Sequence, residues 1–242
     1  MTMPGVPRKA VSPEWLSARI TALAKNVEIL YKGRPDLLFH GWVHVHHTAK
    51  WAVDFAREFP DAEEDPTFLE KLQAAALTHD LNYVVEVNTG PALGSDLRRQ
   101  YLADVGFDER EIGWIDAVVI EADISTRDEA ISNAAKALSD ADTVFKGLPF
   151  TPILLAARYM VENKVSIDDW AAKIIRDQGP LFARGIYFYT RKAEERFGAG
   201  ARANYKLVSL VPSALQDPDV RELVDAVFPA LKATLPGEKG GT

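Results

Sequence analysis

The histidines and aspartates of this sequence are spaced as metal ligands could be. Four of the five histidines lie within residues 40–47, and the fifth, His79, is followed directly by Asp80. Two aspartates, Asp140 and Asp142, lie close together later in the chain. Because the chain has no cysteine, its available ligands are imidazole and carboxylate, which favour a hard or borderline divalent ion.

The pair His79 and Asp80 falls on the apolar face of a predicted helix over residues 66–84. Leu72 and Ala76 help to define that face, and steps of three and four residues from Ala76 reach both polar side chains. Burying a carboxylate beside an imidazole costs free energy unless both find strong partners, and a metal cation satisfies both. The alternative is a simple internal hydrogen bond between the two side chains.

Asp142 lies on the buried face of another predicted helix, over residues 127–146. Apolar residues that include Leu138 and Ala141 define this face. Asp140 falls about 160° away from Asp142 around the helix axis, and we expect it to be solvated or to contact a ligand residue. Asp142 is therefore the candidate ligand, and the alternative is a buried aspartate that caps a neighbouring helix.

The histidine-rich segment predicts a helix over residues 40–59 with histidines along the margin of its apolar face. His40, His44 and His47 lie at i, i+4 and i+7 on this margin, from which a side chain can reach a site between helices. His46 falls near the apolar side and is predicted to be packed or partly exposed. Periodicity does not choose among the three marginal histidines, and ordinary surface or core packing is the alternative for each.

The elements that must position these side chains are predicted to be helices throughout. Apolar residues recur at spacings of three and four, and runs of strictly alternating β-branched residues are missing. Ser12 and Pro13 predict the start of a first helix that continues to about Tyr31. The later helices are predicted over residues 40–59, 66–84, 95–104, 108–122, 127–146, 152–163, 166–177, 180–197, 202–211 and 217–234. We expect an all-α protein with a single helical domain.

Composition and charge restrict the possible functions. A hydrophobic content of 47% and a charged content of 26% are typical of a globular protein, and no apolar run approaches the roughly 20 residues of a membrane span. The formal net charge of −7 argues against binding to a nucleic-acid duplex, which depends on clustered Lys and Arg. The N-terminal segment lacks the apolar stretch of a secretory signal, so a cytoplasmic protein is expected.

Together these segments resemble the HD superfamily of metal-dependent phosphohydrolases, whose pattern is a histidine, an adjacent His-Asp pair and a late aspartate. "THD" supplies His79 and Asp80, and "LSDAD" supplies Asp142. "FHGWVHV" is similar to the Tyr-His-Asn-x-x-His-Val segment that opens one branch, and "IYFYTRKAEERFGAGARAN" is similar to that branch's C-terminal signature. The resemblance covers the chain from about Asp36 to Asn204.

The resemblance implies an HD-like helical bundle, with a core over about 36–165 and a C-terminal helical extension over about 166–235. It selects His44 as the first metal ligand, together with His79, Asp80 and Asp142. One divalent ion, Mn²⁺, Fe²⁺, Co²⁺, Ni²⁺ or Mg²⁺, suits two imidazoles and two carboxylates. The additional histidines of dinuclear relatives are missing, because no histidine follows the His-Asp pair.

The implied activity is hydrolysis of a small phosphate ester or anhydride, such as a nucleotide or a related metabolite. Asp80 would orient or deprotonate the attacking water. His40 would either contact the metal ligands or face the substrate. Arg158 and Arg202 are the first candidates to bind the phosphate, and Glu121 is a further candidate at the substrate. The other basic residues, among them Arg98 and Lys146, are expected mostly to be solvated.

Two other functions are compatible with the same residues. A metal-retaining but catalytically weak domain that binds a ligand or a partner is one, because "VVIEADIS" carries Glu121 and Asp123 where the branch would have Thr and His. A metal-dependent oxygenase or lyase on the same scaffold is the other, and the missing additional histidines disfavour it.

Overall fold

The regular structure of this chain is helical. A computed structural model describes residues 15–124, 127, 130–148 and 151–234, and for residues 151–154 and 227–234 it describes the backbone alone. Within these ranges every regular element is a helix, which confirms the predicted all-α class. No helix in this part of the chain combines the length and the apolar character required to cross a membrane.

The helices follow one another with short connections. They are α1 (Ala18–Lys32), α2 (Trp42–Ala56), α3 (Asp61–Glu64), α4 (Phe68–Thr78), α5 (Leu81–Val85), α6 (Ser95–Asp104), α7 (Glu109–Glu121), α8 (Asn133–Thr143), α9 (Thr151–Asn163), α10 (Ile167–Arg184), α11 (Arg191–Ala193), α12 (Ala199–Ala214) and α13 (Pro218–Thr234). Turns of 3₁₀-helix occupy Pro91–Gly94 and Val144–Gly147, and a π-helical segment, Glu194–Gly198, joins α11 to α12.

Serine residues cap the starts of α1 and α8, and the predicted start of α8 is wrong. The predicted start at Ser12 is outside the described residues, and α1 begins at Ala18, where the Ser17 hydroxyl accepts a hydrogen bond from the Ile20 backbone N–H. Likewise α8 begins at Asn133 rather than at residue 127, because Ser132 caps it.

The predicted break at Pro180 is also wrong, since α10 continues through this proline to Arg184. Leu181 is buried in the core immediately after the proline, which favours continuation of the helix. The helix ends at Gly185, whose φ of 71° places it in the left-handed region that favours glycine. Its backbone N–H then bonds to carbonyls of the last turn, including that of Phe182.

The core is organised around α2, which packs against both α4 and α8. Alanines such as Ala49, Ala75 and Ala137 are fully buried on these helices, and their small side chains let the backbones approach closely. The same hydrophobic cluster includes Ile20 of α1 and Phe197 of the π-helical segment. A second, smaller hydrophobic cluster lies between α9, α10 and α12, and its buried members are Ala156, Met160, Trp170, Ala171 and Val208.

Asp140 is fully buried, so the expectation that it is solvated is wrong. It forms an ion pair with the buried Arg127, at 3.2 Å, and accepts hydrogen bonds from the backbone N–H groups of Tyr189 and Thr190. The Thr190 hydroxyl donates to it at 2.8 Å as well. Asp140 thus ties α8 to the segment that precedes α11, whose cap is Thr190.

Candidate metal centre

The structure brings together the four predicted metal ligands, His44, His79, Asp80 and Asp142. His44 lies on α2, the His-Asp pair lies at the junction of α4 and α5, and Asp142 lies near the end of α8. Because α2 packs against both α4 and α8, side chains from three separate parts of the sequence meet at one point.

The ligand atoms are 2.9 to 3.5 Å apart, close to the separations expected around one ion. Nε2 of His44 lies 3.2 Å from Nε2 of His79, 3.2 Å from Oδ2 of Asp80 and 2.9 Å from Oδ1 of Asp142. Nε2 of His79 lies 3.2 Å from Oδ2 of Asp80 and 3.5 Å from Oδ1 of Asp142. Neighbouring ligands at about 2.1 Å from a divalent ion are about 3.0 to 3.4 Å apart. The buried group of His44, His79 and Asp80 could therefore hold a metal ion.

A break between α4 and α5 orients the His-Asp pair, which corrects the predicted continuous helix 66–84. α4 ends at Thr78, and Asp80 has φ −96° and ψ 17°, outside the helical region. Nδ1 of His79 donates a hydrogen bond of 2.8 Å to the backbone carbonyl of Ala76. This contact leaves Nε2 of the neutral imidazole with its lone pair directed at the other ligands.

Arg98 stabilises the same break and is not solvated. Its guanidinium is fully buried, forms an ion pair with Asp116 and donates to the carbonyls of Thr78 and Pro91 at 3.3 and 3.1 Å. The buried ion pair explains why Arg98 can lie inside the protein. Its contact with Thr78 satisfies a carbonyl at the end of α4, immediately before the ligands.

The electrostatics of the centre favour a bound cation. Burial opposes protonation of His79, but Asp80 and Asp142 prevail and raise its pKa to about 10. Burial would raise the pKa of Asp80, but His79 and the other histidines lower it instead. Oδ2 of Asp80 is buried and has no hydrogen-bond partner in the described part of the chain. A divalent ion would compete with protons for the imidazoles and would supply the missing partner of this oxygen.

His40 is buried beside the centre and is held by a residue that the sequence analysis missed, Glu162 of α9. One carboxylate oxygen of Glu162 contacts Nδ1 of His40, and the other accepts the backbone N–H groups of Phe39 and His40 at 2.7 and 3.1 Å. The imidazole stacks on Tyr83, with 3.5 Å between ring centroids. These contacts fix the ring and leave its Nε2 available to the adjacent cavity. One signal was present in the sequence, because Glu162 lies at helical spacing from apolar residues of α9.

The two remaining histidines lie outside the ligand cluster. His46 is half-buried against Trp15 and Trp42, with centroid separations of 5.4 and 5.3 Å, as predicted for a packed residue. His47 is exposed and contacts the Trp51 ring.

A cavity of about 500 Å³ opens beside the candidate ligands. His40, His79, Asp80 and Asp142 belong to its wall. Its remaining lining includes members of both hydrophobic clusters and polar side chains such as Asn82 and Gln178. The aromatic lining residues are Phe39, Tyr83, Phe145, Tyr159, Trp170 and Tyr205. The volume is in the range of small-molecule binding sites.

The three residues predicted to bind substrate lie elsewhere. Arg158 is exposed on α9, outside the cavity wall. Arg202 is exposed and forms an ion pair of 2.6 Å with Glu194. Glu121 accepts hydrogen bonds from the backbone and the hydroxyl of Ser132, at the start of α8. Their side chains therefore serve surface and capping contacts that helical periodicity did not reveal.

No protein-family model, curated protein or solved structure matches the chain. The class of protein is therefore defined by the fold and the site alone. It is an all-α protein with a buried group of histidine and aspartate residues that could hold a metal ion beside a cavity.

Proposed function

We propose that this protein is an HD-type, metal-dependent phosphohydrolase that acts on a small phosphate ester or anhydride. The observation that carries the proposal is the convergence of two imidazoles and two carboxylates beside a cavity of about 500 Å³, whose wall includes His79, Asp80 and Asp142. The spacing of these residues in the sequence, together with the all-helical fold, supports the HD-type assignment.

His44, His79, Asp80 and Asp142 would hold one divalent ion, Mn²⁺, Fe²⁺, Co²⁺, Ni²⁺ or Mg²⁺. Two nitrogen and two oxygen ligands leave room for water in an octahedral shell. In the described part of the chain, no second group of three or more such ligands lies close enough to hold another ion. When bound, the ion supplies Lewis acidity and lowers the pKa of water.

The side chains of the chain itself then position water and move protons. The Asp80 carboxylate is a ligand that also lines the cavity, where it can orient a water molecule or accept its proton. His40, held through Nδ1 by Glu162, can donate a proton from Nε2 to the leaving oxygen of the ester. The aromatic side chains of the wall lower the local polarity and so strengthen these electrostatic interactions.

The proposal predicts that phosphate release depends on a bound ion. Protein saturated with Mn²⁺, Co²⁺, Ni²⁺ or Mg²⁺ should release phosphate from members of a panel of nucleotides and sugar phosphates. A chelator should abolish the release, and the same ion should restore it. Without the metal, the protein loses both the Lewis acid that polarises the phosphoryl oxygen and the activated water.

Three outcomes would contradict the proposal. Phosphate release that is insensitive to the chelator would reject the metal-dependent mechanism. A retained metal without turnover of any phosphate compound would favour the ligand-binding domain. Bound iron together with oxygen consumption would favour an oxygenase.

A further inference from the structure

Lys146 places a cationic side chain in the wall of the same cavity as Asp142. The two residues are separated by four positions, across the junction of α8 and the 3₁₀ turn. The Lys146 ammonium forms no hydrogen bond or ion pair with any residue that the structure describes. The expectation that Lys146 is solvated is therefore wrong, since its side chain is half-buried and lines the cavity.

The backbone that carries Lys146 is fixed against α12. The Asn204 side-chain amide donates to the carbonyls of Lys146 and Leu148 at 2.7 and 3.0 Å. Gly200 lies so close to Gly147 that a Cβ on Gly200 would come within 2.0 Å of the Gly147 carbonyl oxygen. Only glycine permits this approach, so α12 holds the turn in place and Lys146 is positioned before any ligand arrives.

Lys146 is the cation of the cavity without a carboxylate partner. Lys173 also lines the cavity, but it forms an ion pair of 2.8 Å with Asp177. A divalent ion would neutralise the two ligand carboxylates, so Lys146 would remain as the one uncompensated ammonium in the described wall. One ammonium beside one metal site matches a single phosphoryl group better than a polyphosphate chain.

The part of the wall that α9, α10 and α12 contribute determines the shape of the organic group that the cavity accepts. Tyr159 of α9, Trp170 of α10 and Tyr205 of α12 present aromatic rings to the cavity, beside the small side chain of Ala156. Aromatic walls pack well against flat groups of the ligand. This wall is formed mainly by the C-terminal helices.

Resting on the proposed function, we infer that Lys146 binds the phosphoryl group of a phosphate monoester whose flat organic group lies against Tyr159 and Tyr205. The substrate then spans the cavity, with its phosphate between the metal ligands and Lys146 and its organic group in the aromatic compartment.

The role of Lys146 is tested by calorimetric titration of the Mn²⁺-loaded protein with inorganic phosphate. Lys146→Met should weaken phosphate binding by about 10-fold or more, because the hydrogen bond between the ammonium and the charged phosphate is lost. Lys25→Met, the same substitution at an exposed lysine of α1, is the matched control and should bind as the wild type does. Manganese content and melting temperature are measured for each variant, so that loss of the fold is recognised. Equal affinity of folded, metal-loaded Lys146→Met and wild type would overturn the assignment.

The ligand class is tested with three further probes on the wild type. Phenyl phosphate should bind about 10-fold more tightly than inorganic phosphate, because its ring buries apolar surface. At saturating Mn²⁺, AMP should bind more tightly than ATP. Phenyl phosphate no tighter than phosphate, or ATP tighter than AMP, would overturn the monoester assignment.

The failure of this inference and that of the proposed function are distinguishable. Phosphate binding that depends on Lys146, without hydrolysis of any ester, would support the binding role while rejecting the hydrolase. Metal-dependent hydrolysis with phosphate binding unchanged in Lys146→Met would leave the hydrolase standing and reject the role of Lys146.

Discussion

Replacing Asp80 with asparagine should lower kcat/KM for phosphate release by roughly 10³-fold, within the range that general acid–base groups contribute. The amide has nearly the shape of the carboxylate but lacks its charge, so it cannot accept a proton from water and neutralises less of the cation. Oδ2 of Asp80 lies 3.2 Å from Nε2 of each imidazole, so its charge is lost directly at the metal site.

The measurement is made at saturating metal, with metal content recorded, because weaker metal binding alone would also lower the rate. Asp104→Asn, at an exposed position of α6, is the matched control and should retain the rate of the wild type. A metal-loaded Asp80→Asn protein that hydrolyses as fast as the wild type would rule out the assigned role of this carboxylate.

Replacing Glu162 with glutamine should lower kcat by about 100-fold, with a much smaller effect on KM. The amide oxygen can still accept the backbone N–H groups of Phe39 and His40, but the charge beside Nδ1 of His40 is lost. The imidazole is then held less firmly for proton donation. Glu162 is thus a positioning residue that acts through His40.

Two substrates with different leaving groups distinguish a role of Glu162 in proton donation from a purely structural role. Hydrolysis of phenyl phosphate should fall strongly in Glu162→Gln, whereas 4-nitrophenyl phosphate should be affected much less, because its leaving group needs little protonation. Metal content should not change, and Glu63→Gln, at an exposed glutamate of α3, serves as the control. An equal loss for both substrates would show that Glu162 supports the fold rather than proton transfer.

Helical periodicity was sufficient to predict the all-α class and the inward direction of His79, Asp80 and Asp142. Each of these side chains lies at helical spacing from apolar residues of the same segment, so counting along that segment shows that it points to the buried side. The choice of His44 over His40 and His47 needed the resemblance to the HD superfamily. All three histidines lie on the same margin, and only packing against α4 and α8 separates them.

The partners of the site residues could not be predicted in this way. Glu162 holds His40 across 122 residues of sequence, and Asn204 holds the backbone of Lys146 across 58 residues. Periodicity shows which side of a helix is buried but does not show which side chain lies opposite. The same limit explains why Asp140, whose partners lie in distant segments, was expected to be solvated.

The break at His79 was missed for a related reason. The apolar pattern continues smoothly from α4 into α5, so it predicts one helix. Buried contacts end the helix at Thr78 instead. Arg98 donates a hydrogen bond to the Thr78 carbonyl, and the His79 ring donates one to the Ala76 carbonyl. Such a break is visible only once the neighbouring helices are in place.

The central claim is that four side chains from three parts of the chain hold one cation, and elemental analysis of the purified protein tests it most directly. Wild-type protein incubated with Mn²⁺ and then freed of unbound metal should retain one ion per chain. His44→Ala, His79→Ala and Asp142→Ala proteins that keep their helical circular dichroism should retain little or none. A wild type that binds no divalent ion, or variants that retain it as fully as the wild type, would contradict the account.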